Sequence, residues 1–139
     1  MNIDVSRLGP DAKRQILRKL AVSSKAKQSK YGNVKTVRRL PDGSEHEFDS
    51  RKEAERYDEL LYMQRVGLIE DLRIQVPFLL IPKQQGLLRN EREVKYVADF
   101  TYFQGGELVV EDCKGKRTPE YILKRKLMLF NRDISIKET

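Results

Sequence analysis

The sequence predicts an α/β or α+β fold with a mixed sheet, on three observations. Strand-like runs flank glycine turns at Asp42-Gly43 and at Gly105-Gly106. Helix caps stand at Ser50 and at Thr118-Pro119. The elements follow in the order hairpin, helix, strand, hairpin, helix, strand.

Taken in chain order, residues 1–8 read as loose chain. GPDAKRQILRKLAV reads as a short basic helix with Pro10 in its first turn, and SSKAKQSKYGN as a flexible basic linker. Residues 1–28 therefore form an arm and residues 29–139 a domain, compact from about Tyr31. VKTVRRL-PDGS-EHEF is a hairpin. The next helix starts at Asp49 or Ser50, runs through RKEAERYDELLYMQRV and stops at Gly67. IQVPFLLI is an apolar strand that Pro77 interrupts and Pro82 closes, and QQGLLRNERE is a loop. VKYVADFTYF-QGG-ELVVEDCK is a second hairpin. A helix follows from Thr118 to about Phe130, and ISIKE closes the chain as a strand.

The composition excludes several chemistries. With one cysteine, Cys113, and one histidine, His46, the 139-residue chain can build neither a Cys/His zinc site nor a two-histidine protease motif. It can form no internal disulfide either, which fits a reducing, cytoplasmic compartment. No apolar run reaches the ~20 residues of a membrane helix. The net charge is +7, of which residues 1–30 hold +6, from eight Lys/Arg and two Asp. A second basic cluster, KGKRTPEYILKRK, nets +5 over residues 114–126. Such patches neutralise phosphates and release their counterions.

If Gly105 and Gly106 make a two-residue turn, the numbers of facing residues sum to 211. Asp99 then lies opposite Asp112, and Val97 opposite Lys114, on one face of the hairpin. Facing carboxylates repel. Asp99 is set among Val97, Ala98 and Phe100, so this pair needs Lys114 or a cation between its members. Glu111 falls on the opposite face and is expected to matter far less. On the first helix, with Glu53 at zero and about 100° per residue, Tyr57 falls near 40°, Leu61 near 80° and Leu60 near 340°. Glu53 thus sits in the apolar stripe, while Glu55 and Glu59 point outward. Glu53 also completes a Ser-x-x-Glu capping box with Ser50. Gln75 is a lesser candidate for orienting a water or a phosphate. Cys113 alternates into the core, with no base to activate it.

An Asp, a turn, then Asp-x-Lys at the end of an apolar strand, after an acidic helix, resembles the PD-(D/E)XK nuclease superfamily. SKYGNVKT, FDSRKEAERYDELLYMQRVGLIEDLRIQVPFLL, YVADF and VVEDCKG…YILKRKL together resemble a bacteriophage branch of it, over residues 29–137. The resemblance implies a restriction-endonuclease-like core, with a central mixed sheet flanked by helices. It also implies hydrolysis of DNA phosphodiesters with Mg²⁺ or Mn²⁺, in phage recombination, repair or genome processing, inside the bacterial host's cytoplasm. Asp99 matches the first aspartate, Asp112 the second acid, Lys114 the lysine, and Glu53 the acid often given by the first core helix. Ala98 stands where the motif name has proline, and Asp112 where glutamate is more usual.

On this reading Asp99, Asp112, the Cys113 backbone carbonyl and Glu53 hold the metal. Lys114 orients the attacking water or stabilises developing charge. Lys116, Arg117, Lys124, Arg125 and Lys126 hold flanking phosphates. Action on a junction would need a homodimer. The competing expectations are a nucleic-acid-binding protein that keeps the fold without cutting, and an interaction module that borrows it. Deleting residues 1–28 is expected to weaken DNA binding and flatten its salt dependence, yet leave cleavage at low salt. A truncated protein that folds and binds but cannot cut would place a catalytic group in the arm.

Overall fold

The computed structural model describes residues 33–139, of which Lys35–Thr139 make one compact unit. The expected basic helix, the linker and the boundary after residue 28 lie outside the described residues. Strand β1 (Thr36–Arg39) pairs antiparallel with β2 (Glu45–Phe48). Between them Leu40 N–H bonds the Ser44 carbonyl at 2.8 Å, closing a short loop in which Gly43 takes a φ of 87°. Helix α1 (Arg51–Arg65) starts where Ser50 accepts the Glu53 N–H, and it buries Ala54, Tyr57 and Leu60.

Strand β3 (Glu70–Ile81) is longer than its apolar core suggested, and Pro77 does not interrupt it. Pro77 pairs with Val97 on β6 (Val94–Gln104). In the sheet order β3-β6-β7-β8, β3 is an edge strand, so the N–H that proline lacks would have faced outward. The expected loop QQGLLRNERE also needs correction. It holds two-residue strands, β4 (Gln84–Gln85) and β5 (Asn90–Glu91), around a turn closed by Gly86 N–H to the Arg89 carbonyl at 3.1 Å. A Cβ on Gly86 would stand 2.5 Å from that carbonyl oxygen, so the turn requires glycine. Strands this short leave no periodicity to read.

Strand β6 returns through Gly105 and Gly106, with φ of 60° and 81°, into β7 (Glu107–Asp112). Positive φ at both turn positions is the two-residue hairpin geometry. The ladder runs from Gln104–Glu107 to Phe100–Glu111, in the register that sums to 211. Helix α2 (Pro119–Arg132), capped by Thr118, outlasts the expected end at Phe130 by two residues. Strand β8 (Lys137–Glu138) is shorter than ISIKE and lies parallel to β7, which makes the sheet mixed.

The sheet serves two cores, and β6 changes sides between them. Tyr96 and Ala98 pack with Leu80, Val110 and the α2 residues Tyr121 and Met128. Phe100 and Tyr102 pack with Phe48 and the α1 residues Ala54, Tyr57 and Leu60. All four β6 residues have even numbers, and in an unbroken strand they would share one face. The switch therefore falls at Asp99. On β3 the ladder passes from Ile74–Phe100 to Val76–Ala98 in constant register, and Gln75 between them takes a left-handed φ of 51°. Among the described residues no helix is long and apolar enough to cross a membrane.

Candidate active site

Asp99 stands at the point where β6 changes sides, just beyond the last β6–β7 rung. There β7 leaves β6 for β8: the Asp112 carbonyl accepts the Thr139 N–H at 3.0 Å, and the Lys114 N–H reaches the Thr139 carbonyl at 3.1 Å. The expected Asp99–Asp112 and Val97–Lys114 rungs are therefore not part of the ladder. Strand alternation turns the intervening Cys113 N–H the other way, where it donates to Asp99 Oδ2 at 2.8 Å. The carboxylates still converge, through this bond in place of a rung.

Asp112 is 1% exposed. Its Oδ2 accepts the Tyr96 hydroxyl at 2.7 Å. Its Oδ1 lies 3.0 Å from Lys114 Nζ, an ion pair without hydrogen-bond geometry, so this buried oxygen has no hydrogen-bond donor. Lys114 is itself held over the Tyr121 ring, 4.3 Å from its centroid. Burial, and then the Asp112 charge, push the Asp99 carboxyl up to about 7. Glu53, half-buried, is also raised, first by burial and then by the Asp49 and Asp112 charges. The Asp49 backbone offsets part of that rise, and Ser50 Oγ accepts the Glu53 N–H at 3.2 Å. Glu53 thus serves in the helix cap and feels the site at once.

Among the described residues, no three His, Cys, Asp or Glu side chains are grouped closely enough to hold a metal ion. The assembly is a carboxylate pair with a lysine, and Glu53 acts on it through its charge. Cys113 is buried, and burial pushes its thiol up to about 11, which leaves it unreactive. Gln75 is exposed on β3 and makes no hydrogen bond to the carboxylates.

The basic residues divide. Arg117 and Arg125 both bind Glu138, at 2.5 and 2.8 Å, and with Arg125 foremost they hold that carboxyl down to about 2. Lys124 pairs with Glu120 at 3.1 Å. Lys116 and Lys126 are exposed and make no ion pair among the described residues.

Sequence reasoning missed Tyr96 and Tyr121, and it misjudged Glu111. Glu111 does face away from Asp112, yet it is wholly buried. Arg56 donates to both its oxygens, at 2.5 and 3.1 Å, the Tyr102 hydroxyl adds a bond of 2.7 Å, and Thr139 Oγ1 one of 3.1 Å. Burial alone would raise this carboxyl, but Arg56 and Tyr102 outweigh it and hold it low. Only the helical position of Arg56, three residues after Glu53 and beside the apolar stripe, could have signalled this contact.

The raised Asp99 carboxyl sets a pH dependence. In metal-free protein the unfolded chain loses this proton near the ordinary aspartate value, and the folded chain near 7. The contribution of Asp99 to stability is thus full below about pH 4 and falls as pH rises through 7. Asp99→Asn is expected to remove that fall and raise stability at pH 8 by about 4 kcal/mol. Urea melts at pH 5 and pH 8 in chelator would check it. An equal effect of the substitution at both pH values would refute the assignment.

Residues 28–137 match the model of a family described as Protein of unknown function (DUF1064). No curated protein and no solved structure matches the chain.

Proposed function

The chain belongs to the DUF1064 family, and we propose that it is a divalent-metal-dependent DNA endonuclease with a restriction-endonuclease-like core of the PD-(D/E)XK kind. One observation carries the reading. Asp112 Oδ1 is buried, charged and without a hydrogen-bond donor, beside a lysine and a second carboxyl pushed up to about 7. Burying two like charges is costly, and such an arrangement marks a site that expects a cation.

The donors fit a hard cation. Asp99 and Asp112 offer carboxylate oxygens, and strand alternation sends the Cys113 carbonyl to the same edge as its N–H, towards Asp99. Mg²⁺ or Mn²⁺ held there would supply charge neutralisation at the phosphate and acidify a water. Lys114, fixed between Asp112 and the Tyr121 face, would offer a positive charge to the negative charge that builds on the pentavalent phosphate. The Tyr96 hydroxyl fixes Asp112 by its other oxygen. Glu53, with its raised carboxyl, stands ready to take a proton from a water or to hold one in place.

A nucleic-acid binder that does not cut is the competing reading, favoured by the lack of a three-carboxylate group among the described residues. Metal titration separates the two. Mn²⁺ at millimolar concentration is expected to raise the melting temperature by several degrees, since it binds only the folded pair. Asp99→Ala should abolish the rise, and Mn²⁺ should switch on cleavage of plasmid DNA. No thermal shift and no cleavage in the parent protein would leave the binder standing.

A further inference from the structure

Two open pockets meet at Lys114. One, of about 440 Å³, is lined by Lys52, Lys114, Gly115, Lys116, Arg117, Glu138 and Thr139. The other, of about 270 Å³, includes Lys95, Tyr96, Lys114, Thr118, Glu120 and Lys124 in its wall. The sheet order puts them on opposite sides of the β7 end: Thr139 follows β8 and Lys95 lies on β6, and these strands flank β7. Four cations face one carboxylate in the first pocket, and that carboxylate, Glu138, is already taken by Arg117 and Arg125. The second is lined by three lysines, of which Lys124 pairs with Glu120 at 3.1 Å and Lys95 with Glu93 at 2.7 Å, each ammonium keeping further N–H groups. Lys114 lines both pockets, and Asp112 is its ion-pair partner.

We infer that the pockets are two backbone-phosphate subsites, one on each side of the scissile bond, and that a DNA strand crosses the carboxyl end of β7 with Lys114 at its middle. Phosphates are held by point charges that keep donors to spare. Lys52 gives one N–H to the Thr139 carbonyl at 2.6 Å and a long bond of 3.5 Å to the Lys114 carbonyl, which leaves its third N–H for a phosphate. Lys116 makes no ion pair among the described residues. Arg125, taken up by Glu138, is not needed for this binding. An enzyme that grips phosphate on both sides of the cut acts within a strand and needs no end, so this inference extends the nuclease reading and in its cleavage arm rests on it.

The binding arm stands alone. In chelator, a labelled oligonucleotide is titrated with the parent protein and with Lys116→Glu, Lys52→Gln, Lys95→Glu and the exposed control Lys83→Glu. Each of the first three should lose about tenfold in affinity at low salt, and the salt slope should fall by about one per charge removed. Lys83→Glu should bind as the parent does. Single methylphosphonate substitutions then map the subsites. A neutral phosphate on one side should weaken the parent but not Lys116→Glu, and one on the other side should weaken the parent but not Lys95→Glu. Loss of sensitivity to the same phosphate in both variants, or an equal loss in Lys83→Glu, overturns the inference. With Mn²⁺, covalently closed single-stranded circles should be cut as fast as linear strands. Cutting from the ends of linear DNA with circles left intact also overturns it. Subsite mapping as expected, with no cleavage of any DNA, supports the two subsites and refutes the nuclease.

Discussion

Asp112→Asn is expected to lower Mg²⁺-dependent cleavage by roughly 10³-fold while leaving metal-free DNA binding equal to or tighter than that of the parent. The substitution keeps the shape of the side chain and removes one of two converging charges. An asparagine can still accept the Tyr96 hydroxyl, but its amide then faces Lys114 Nζ, where the carboxylate oxygen now stands at 3.0 Å. Lys114 loses its counter-charge and the proposed cation site loses an anionic ligand, so on the nuclease reading both act against turnover. A negative charge that repels phosphate is removed as well. Cleavage rates and binding isotherms on one labelled substrate, with folding checked by melting, decide it. Activity within tenfold of the parent would remove Asp112 from the chemistry.

Arg56→Ala is expected to destabilise the protein by about 3–5 kcal/mol, because it strands the buried Glu111 charge. Arg56 forks onto Glu111 from α1, so the loss also unties that helix from β7. The remaining neighbours cannot replace it: Tyr102 and Thr139 each give one neutral bond, and Lys137 Nζ stays 3.8 Å away. Glu111→Gln should cost less than Arg56→Ala, since it leaves no unpaired carboxylate, but it is no longer the mild substitution the strand alternation suggested. Pairing the two changes should recover much of the loss, as in any cycle across a coupled pair. Urea denaturation of the four proteins measures this. An Arg56→Ala cost under about 1 kcal/mol would show the pair to be solvated.

Much of the scaffold was legible because its signals are local. Ser50 and Thr118 announced the two helices of the described residues, and Gly105-Gly106 set the hairpin register to the residue. That register brought Asp99, Asp112 and Lys114 to one place, and the apolar stripe of α1 added Glu53. Long-range partners were not legible. Arg56 meets Glu111 across 55 residues, and neither carries a mark that names the other. Tyr96 and Tyr121 read as core aromatics, which they also are. The side change in β6 left no trace either, because Tyr96, Ala98, Phe100 and Tyr102 keep a perfect alternation while the backbone turns beneath them. Pro77 misled for a different reason: its effect depends on whether a strand is central or at an edge, and composition does not say which.

Pro77 bears on how the protein behaves at high concentration. An edge strand of twelve residues offers a row of unpaired backbone groups on which a second copy could grow a continuous sheet. Proline deletes one donor from that row, and the left-handed Gln75 bends the row two residues earlier. At the far edge β8 is only two residues long, too short to template anything. Among the described residues, both margins of the sheet are thereby poor templates for intermolecular strand exchange.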